Sequence, residues 1–211
     1  TNNIAKSGTD YDTTNLGGAI YVKGDYTTIS GSEFESSSAY SGGTIYLQGN
    51  YCNVTESSVS GGYASNDGGA IYSTGSYSNV IDSNFTDNLA EGNAGAIYWY
   101  GGTNSKYNTV AGSLFLRNVA HAKSTSNTRG GGAIYWSENG NHGSIVNSQF
   151  INNSVQSNNK ADGGAILWDR CNYVLIDYCT FDGNYITTSA TGDVWVQGGA
   201  LYLRADSRSV I

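Results

Sequence analysis

The sequence contains no proline and no methionine among its 211 residues. Because proline lacks a backbone N–H, its absence is typical of a chain whose backbone donors are nearly all used between strands. The absence of an initiator methionine, a signal peptide and a sorting motif indicates a piece of a longer protein, with further chain at both ends. No apolar run approaches the roughly 20 residues of a membrane span, so we expect that the chain does not itself span a membrane.

Cysteine is also scarce, with Cys52, Cys171 and Cys179 as the only examples. They lie too far apart for a zinc site and form no CxxC pair, and their odd number gives no disulfide framework. Cys171 and Cys179 are able to pair, but we expect two buried free thiols. We predict no metal site and no cofactor.

Charged residues are few and mostly acidic, with 13% charged residues and a net charge of −7. A nucleic-acid partner is therefore not expected, since such partners select basic faces, and an anionic membrane surface is disfavoured for the same reason. Apolar residues make up only 38% of the chain and glycine reaches 29 residues, a composition that disordered chains share. The 12% aromatic content and the regular spacing of Ile, Val and Phe argue against disorder.

A repeat organises the chain. Gly-Gly-Ala-Ile-Tyr at 68–72 recurs with small changes at 17–21, 42–46, 94–98, 131–135, 163–167 and 198–202. The isoleucines are at first 25 or 26 residues apart, and the spacing then lengthens to 37, 32 and 35 residues. Self-similarity of this kind indicates stacked repeats, and the lengthening indicates insertions at one corner of a coil with a fixed cross-section.

A second signature lies between the Gly-Gly motifs. Its clearest copy is Val80, Ser83, Phe85 and Asn88, and a tyrosine, here Tyr77, precedes the phenylalanine by eight residues in most copies. Apolar and polar residues alternate as in strands. Strands this short can pair only with the equivalent strand of the coil above or below, which is the arrangement of a solenoid.

We therefore predict an all-β fold, a right-handed single-stranded parallel β-helix of about six full coils with partial coils at both ends. The whole chain, 1–211, is one β-helix fragment. Its coils are approximately 17–41, 42–67, 68–93, 94–130, 131–162, 163–197 and, in part, 198–211. Ile, Phe and the Ser/Cys column are expected to point inward, Gly-Gly to supply positive φ at a corner, and the asparagines after Phe to form a buried amide ladder.

The alternation of Gly-Gly-Ala-Ile with Phe-x-x-Asn resembles the repeat of the polymorphic outer-membrane proteins, which are autotransported bacterial surface adhesins. The same pair of motifs occurs in adhesin-like surface proteins of methanogenic archaea. The resemblance covers nearly the whole chain, although Thr44 and Ala94 depart from the motif. It implies a β-helical segment displayed outside the cell, hence an extracellular or cell-surface location.

Two aromatic columns are candidate binding residues. Trp99, Trp136 and Trp168 lie two residues past the motif isoleucine, in the coils that carry the insertions 119–130, 154–162 and 185–197. They form either a binding platform for sugars or side chains, or the filling of a widened core. The tyrosines after isoleucine should point outward and form either an adhesive surface or a stabilising stack; the candidates are Tyr46, Tyr72, Tyr98 and Tyr135.

Three sequons, at Asn53, Asn84 and Asn152, match the acceptor pattern for N-glycosylation. Asn84 is the best candidate, because it precedes an inward Phe and should point outward. A glycoprotein would agree with a location outside the cell.

The predicted function is that of an adhesin segment which binds a glycan or a surface protein of another cell or of the matrix. One alternative is a structural stalk without a ligand. A second alternative is a polysaccharide lyase or hydrolase, which needs paired carboxylates; the candidates are Glu138, Asp162, Asp169, Asp177 and Asp182. No column stacks acids, and His121 and His142 have no partner in the repeat, so we expect no enzyme.

Overall fold

The computed structural model describes residues 2–7, 12–101, 106–123, 129–137, 141–191, 194–207 and 210–211. These residues form β-strands and no helix. The strands belong to one seven-stranded sheet, three six-stranded sheets and one two-stranded sheet, and every pairing between them is parallel. The predicted parallel β-helix is therefore confirmed.

The four long sheets are named here after their main inward residue. The isoleucine sheet comprises Ile20–Val22, Ile45–Leu47, Ile71–Ser73, Ile97–Trp99, Ile134–Trp136, Ile166–Asn172 and Leu201–Ser207. The valine sheet comprises Thr28–Ser30, Asn53–Thr55, Asn79–Ile81, Thr109–Ala111, Ser144–Val146 and Leu175–Asp177. The phenylalanine sheet comprises Glu33–Glu35, Ser58–Ser60, Asn84–Thr86, Leu114–Leu116, Gln149–Ile151 and Thr180–Asp182. The alanine sheet comprises Ser38–Ala39, Tyr63–Ala64, Leu89–Ala90, Val119–Ala120, Ser154–Ser157 and Tyr185–Thr188.

Equivalent residues of successive coils pair in register. Ile71 lies between Ile45 and Ile97, and Ile134 follows Ile97 in the same column. The valine, phenylalanine and alanine sheets pair in the same way. One apolar cluster therefore runs along the whole column, with the isoleucines, valines and phenylalanines packed against one another.

Left-handed backbone marks the corners of each coil. The first residue of each Gly-Gly motif has a positive φ, as predicted, and Ala94 accepts the same conformation at φ 58°. The second glycine is required for a different reason: a Cβ on Gly95 would lie 2.2 Å from the carbonyl oxygen of Gly132 in the next coil. Glycine thus allows the backbones of successive coils to approach closely at this corner.

Two polar columns run through the interior. In the first, the Nδ2 group of Asn118 donates to the carbonyl oxygen of Phe85 and to Oδ1 of Asn153, both at 2.9 Å. This confirms the predicted amide ladder. In the second, the inward serines bond one another: the N–H of Ser113 donates to Oγ of Ser148 at 3.2 Å, and Oγ of Ser113 donates to the carbonyl of Ala111.

The insertions enlarge one side of the last coils. Ser154–Ser157 and Tyr185–Thr188 prolong the alanine sheet, and Ala161–Asp162 pairs with Val196–Gln197 in the two-stranded sheet. The cysteines are free thiols, with Cys52 and Cys171 buried and Cys179 half-buried. The expectation of free thiols at Cys171 and Cys179 is thus confirmed, although only Cys171 is fully buried.

Candidate functional site

The tryptophan column lies inside the coil. Trp99, Trp136 and Trp168 are at most 1% exposed, and successive rings are stacked with their centroids 4.3 Å apart. Gly143 leaves room for them, since a Cβ there would lie 2.5 Å from the Trp168 ring. Rings enclosed in this way cannot be presented to a ligand. We therefore assign them to the core and correct their assignment to a binding platform.

The tyrosine column on the isoleucine sheet points outward, but it is not an exposed ladder. Tyr98 and Tyr135 are 8% and 6% exposed and form a second apolar cluster with Ala94 and Leu167, and Tyr46 and Tyr72 are only half-buried. The rings of Tyr46, Tyr72 and Tyr98 stack at 4.9–5.0 Å. Burial raises the pKa values of these phenols. This column stabilises the sheet face, and the adhesive role of Tyr98 and Tyr135 is corrected accordingly.

The three sequons differ in accessibility. Asn84 is exposed on the phenylalanine sheet, as predicted, and Asn152 is exposed at a left-handed corner. Asn53 is half-buried, and its Oδ1 accepts a hydrogen bond from Nδ2 of Asn79 at 2.8 Å. Asn84 and Asn152 therefore present accessible amides, and glycosylation at all three sequons stays a prediction.

The carboxylates named for an enzyme are spread over several faces, although Asp162 lies close enough to Asp169 for their charges to interact. Asp177 and Asp182 are exposed on the valine and phenylalanine sheets, whereas Asp169 is fully buried on the isoleucine sheet. Asp162 is half-buried in the two-stranded sheet, and Glu138 lies outside the described residues. A fully buried carboxylate that is already paired with arginine cannot act on a substrate, so this arrangement gives no support to paired-carboxylate chemistry.

A different aromatic column, which we call the corner ladder, is exposed. It runs along the corner that precedes the valine sheet and consists of Tyr26, Tyr51, Tyr77, Tyr107, His142 and Tyr173. Successive ring centroids are 4.5–5.1 Å apart, and the rings are nearly parallel, with interplanar angles of 3–9°. The tyrosine rings are between 39% and 75% exposed. The sequence shows these residues eight positions before Phe, but it gives no direct sign that they line a corner.

The residues of the corner ladder have a strained backbone conformation, which stacking and neighbouring hydrogen bonds support. All six residues have φ between 54° and 60°, a region that bulky side chains rarely adopt. The residues before them form a parallel polar column: Oδ1 of Asn50 accepts the N–H of Ser76 at 3.0 Å, and Oδ1 of Asn141 accepts the N–H of Asn172 at 2.7 Å. Each left-handed residue costs about 1–3 kcal/mol unless its surroundings compensate. Stacking of the rings, worth about 0.5–1.5 kcal/mol per pair, offsets part of that cost.

The geometry of the corner ladder decides what it can bind. Because neighbouring rings lie face to face, their faces are covered, and their edges remain accessible. A sugar that stacks on an aromatic face finds no free face between successive rings of the ladder, whereas a protein surface can contact ring edges and accept hydrogen bonds from phenol groups. Tyrosines already fixed in one position also lose little entropy on binding.

Shallow cavities follow the corner ladder. One of about 380 Å³ is lined by Asn50, Tyr51, Ser76, Tyr77 and Lys106. A second of about 140 Å³ continues past Lys106 to His142 and Tyr173. Amide, hydroxyl and ammonium groups thus lie beside the rings, which is the mixture of aromatic anchors and adaptable polar groups that protein-binding surfaces use.

Another cavity, of about 680 Å³, lies by the insertions instead. His121, Lys123, Gln156 and Thr187 are among its lining residues, and among the described residues that line it only His121 carries an aromatic ring. His121 is half-buried and lies 3.1 Å from Oε2 of Glu91, so it has a partner that the repeat did not predict. Because this cavity lacks an anchoring ring, we place the candidate site at the corner ladder.

Within the described ranges, no group of three or more His, Cys, Asp or Glu side chains is placed to hold a metal ion. The same residues contain no helix that is long and apolar enough to cross a membrane. Comparison with protein-family models, with curated proteins and with solved structures finds no match to this chain. The resemblance to the repeat of the polymorphic outer-membrane proteins therefore stays a prediction, and function has to be argued from the geometry.

Proposed function

We propose that the chain is a rigid segment of an extracellular or cell-surface adhesin, and that the corner ladder is the part that contacts a protein on another cell or in the matrix. The observation that carries the proposal is the row of exposed, stacked rings beside polar cavities. A continuous row on a stiff column suits adhesion, since contacts repeated along one line add without further ordering of the chain.

A stalk without a ligand is the second candidate function. It is favoured by the same stacking, because rings that touch from coil to coil also stiffen the column. The two functions differ in what happens when the rings are removed. A binding surface loses adhesion with a small change in stability, and a stalk loses stability alone.

The test is a double variant, Tyr77→Asn with Tyr107→Asn. Asparagine tolerates a positive φ, so the corner backbone is preserved while the rings are lost. Binding of the purified chain to an array of extracellular-matrix proteins should fall by about tenfold or more, or about 1.4 kcal/mol, in the double variant. Circular dichroism checks that the fold is retained.

Tyr178→Asn is the matched control, since Tyr178 is 84% exposed at a left-handed corner with φ 50° but lies in a different corner column. It should bind like the parent chain. The proposal is wrong if the parent binds no protein on the array, or if the double variant binds as tightly as the control. Lower thermal stability with unchanged adhesion favours the stalk.

A further inference from the structure

A second site, which we call the basic pocket, lies where the outer face of the isoleucine sheet meets the two-stranded sheet. Its volume is about 200 Å³. Three cationic side chains, one carboxylate and two aromatic rings line it, namely Arg129, Lys160, Arg204, Asp162, Trp195 and Tyr202. None of these residues belongs to the corner ladder.

The floor of the basic pocket is an ion-pair cluster in which cationic side chains outnumber carboxylates. Asp169 is fully buried and contacts Nη1 of Arg129 and Nη2 of Arg204, and Nε of Arg170 lies 3.8 Å from its Oδ2. Among the described residues that line the pocket or its floor, Arg129, Arg204 and Lys160 thus face the two carboxylates Asp162 and Asp169, which leaves a charge of +1. The whole chain carries −7, so this concentration of positive charge stands out.

The guanidinium of Arg204 keeps donor capacity after pairing with Asp169. Its side chain is 40% exposed, although its Nε and Nη2 are buried, so the exposed part of the guanidinium is what a ligand can reach. A carboxylate is the acceptor that forms the strongest hydrogen bonds with a guanidinium. The pocket is therefore suited to an added carboxylate.

Trp195 gives the basic pocket an exposed aromatic surface. It is 65% exposed, and Nζ of Lys160 lies 5.0 Å from the centroid of its ring. Lys160 occupies only one side of the indole, and in the part of the chain that the structure describes no ring stacks on Trp195. A ring with apolar C–H groups can lie on such an indole face.

We propose that the basic pocket binds an acidic sugar unit of the uronic-acid class. The sugar ring lies against Trp195, and its carboxylate meets the guanidinium groups of Arg129 and Arg204 where they line the pocket. Charge-assisted hydrogen bonds from guanidinium groups favour a carboxylate over the hydroxyl groups of a neutral sugar. This inference does not depend on the corner ladder.

The test is titration of the purified 211-residue chain with D-glucuronate, followed by ligand-observed NMR, with D-glucose and acetate as separate probes. Glucuronate should bind with a dissociation constant of about 1 mM, and both other probes at least about tenfold more weakly. Lys160→Gln and Trp195→Ala should each weaken glucuronate binding about fivefold to tenfold. Both side chains are exposed and neither contacts Asp169, so the fold is not at risk.

Lys23→Gln is the matched control, because Lys23 is an exposed lysine outside the pocket, and it should leave the affinity unchanged. Equal binding of glucose, acetate and glucuronate overturns the proposal, as does unchanged affinity in both pocket variants. The double variant Tyr77→Asn with Tyr107→Asn should still bind glucuronate. Failure of the adhesin proposal and failure of this one are thereby distinguishable.

Discussion

At the scale of single residues, the interior asparagines explain how a narrow coil encloses polar backbone without water. Asn118 is fully buried, and its Oδ1 accepts both the backbone N–H and the Nδ2 group of Asn88, at 3.1 and 2.9 Å. Its own Nδ2 donates to a backbone carbonyl and to the next asparagine. Both its donors and its acceptor are thus used, which is the condition under which a buried amide is stabilising.

Replacement of Asn118 by alanine should be severe. It removes the acceptor of the backbone N–H of Asn88 and of one of its two Nδ2 hydrogen bonds, and the amide donor to the carbonyl of Phe85. Each buried group left without a partner costs about 1–3 kcal/mol. We expect Asn118→Ala to lower the free energy of unfolding by about 3 kcal/mol or more, measured by chemical denaturation. Asn84→Ala, at an exposed asparagine, should change it by at most about 0.5 kcal/mol. Similar losses in both variants would contradict a role for the ladder.

The asparagine ladder could be predicted because Asn recurs three residues after Phe, and only a stacked coil brings those amides together. The corner ladder was not recognised as a surface, since a row of tyrosines with positive φ contradicts ordinary residue preferences. One signal was present: Tyr51 and Tyr77 hold equivalent positions in successive coils, directly after the polar residues Asn50 and Ser76. When a bulky residue recurs next to a turn in successive repeats, an exposed column of such residues can be predicted.

At the scale of elements, the isoleucine sheet shows what the alternation of apolar and polar residues can predict and what it cannot. Period-two patterning correctly places Ile97 inside and Tyr98 outside. It does not tell whether another part of the chain covers the outer face. Arg129, which lies in the insertion 119–130, interacts with Tyr135, and this contact is not encoded in the repeat. The same reasoning explains why Trp136 was ambiguous: its inward parity was visible, but the space left by Gly143 was not.

The buried tyrosines of this sheet should make the fold sensitive to alkali. Burial, with a smaller contribution from the charge of Asp67, raises the pKa of Tyr72 well above its ordinary value of 10.0. A phenol with a raised pKa holds its proton more tightly when folded. Its contribution to stability is therefore fully present below the unfolded pKa near 10 and is lost as the pH rises above that value.

We expect Tyr72→Phe to reduce this sensitivity. Between pH 9 and pH 11 the variant should gain about 1.4 kcal/mol in free energy of unfolding relative to the parent chain, because one phenol fewer ionises on unfolding. Urea titrations at the two pH values measure the difference. Tyr178→Phe, at a tyrosine that is 84% exposed, serves as the control and should show no relative gain. A parallel pH dependence of all three chains would refute the explanation.

At the scale of the whole molecule, the chain is a column in which each coil contacts mainly the coils next to it. Its repeated part could be predicted almost residue by residue, since stacking forces equivalent positions into register. The basic pocket could not, because Lys160 and Trp195 come from insertions of different coils that do not repeat, and Asp169 pairs with Arg129 forty residues earlier in the chain. Periodicity locates such insertions but does not specify the contacts between them.

Nearest-neighbour contact predicts how core mutations combine. Val54 and Val80 are direct partners in the valine sheet, whereas Ile176 occupies the same column several coils away. The double variant Val54→Ala with Val80→Ala should show an interaction energy of about 0.5–3 kcal/mol, because the two cavities merge. Val54→Ala with Ile176→Ala should be additive within about 0.5 kcal/mol.

Chemical denaturation of the three single variants and both double variants measures these terms, provided that each chain unfolds in one transition with an unchanged denaturant slope. Val54 and Val80 are at most 2% exposed and Ile176 is 4% exposed, so the single substitutions are comparable in kind. An equally large interaction energy between Val54 and Ile176 would mean that the structural effects of a substitution spread along the whole column. A solenoid held together by contacts between adjacent coils excludes that result.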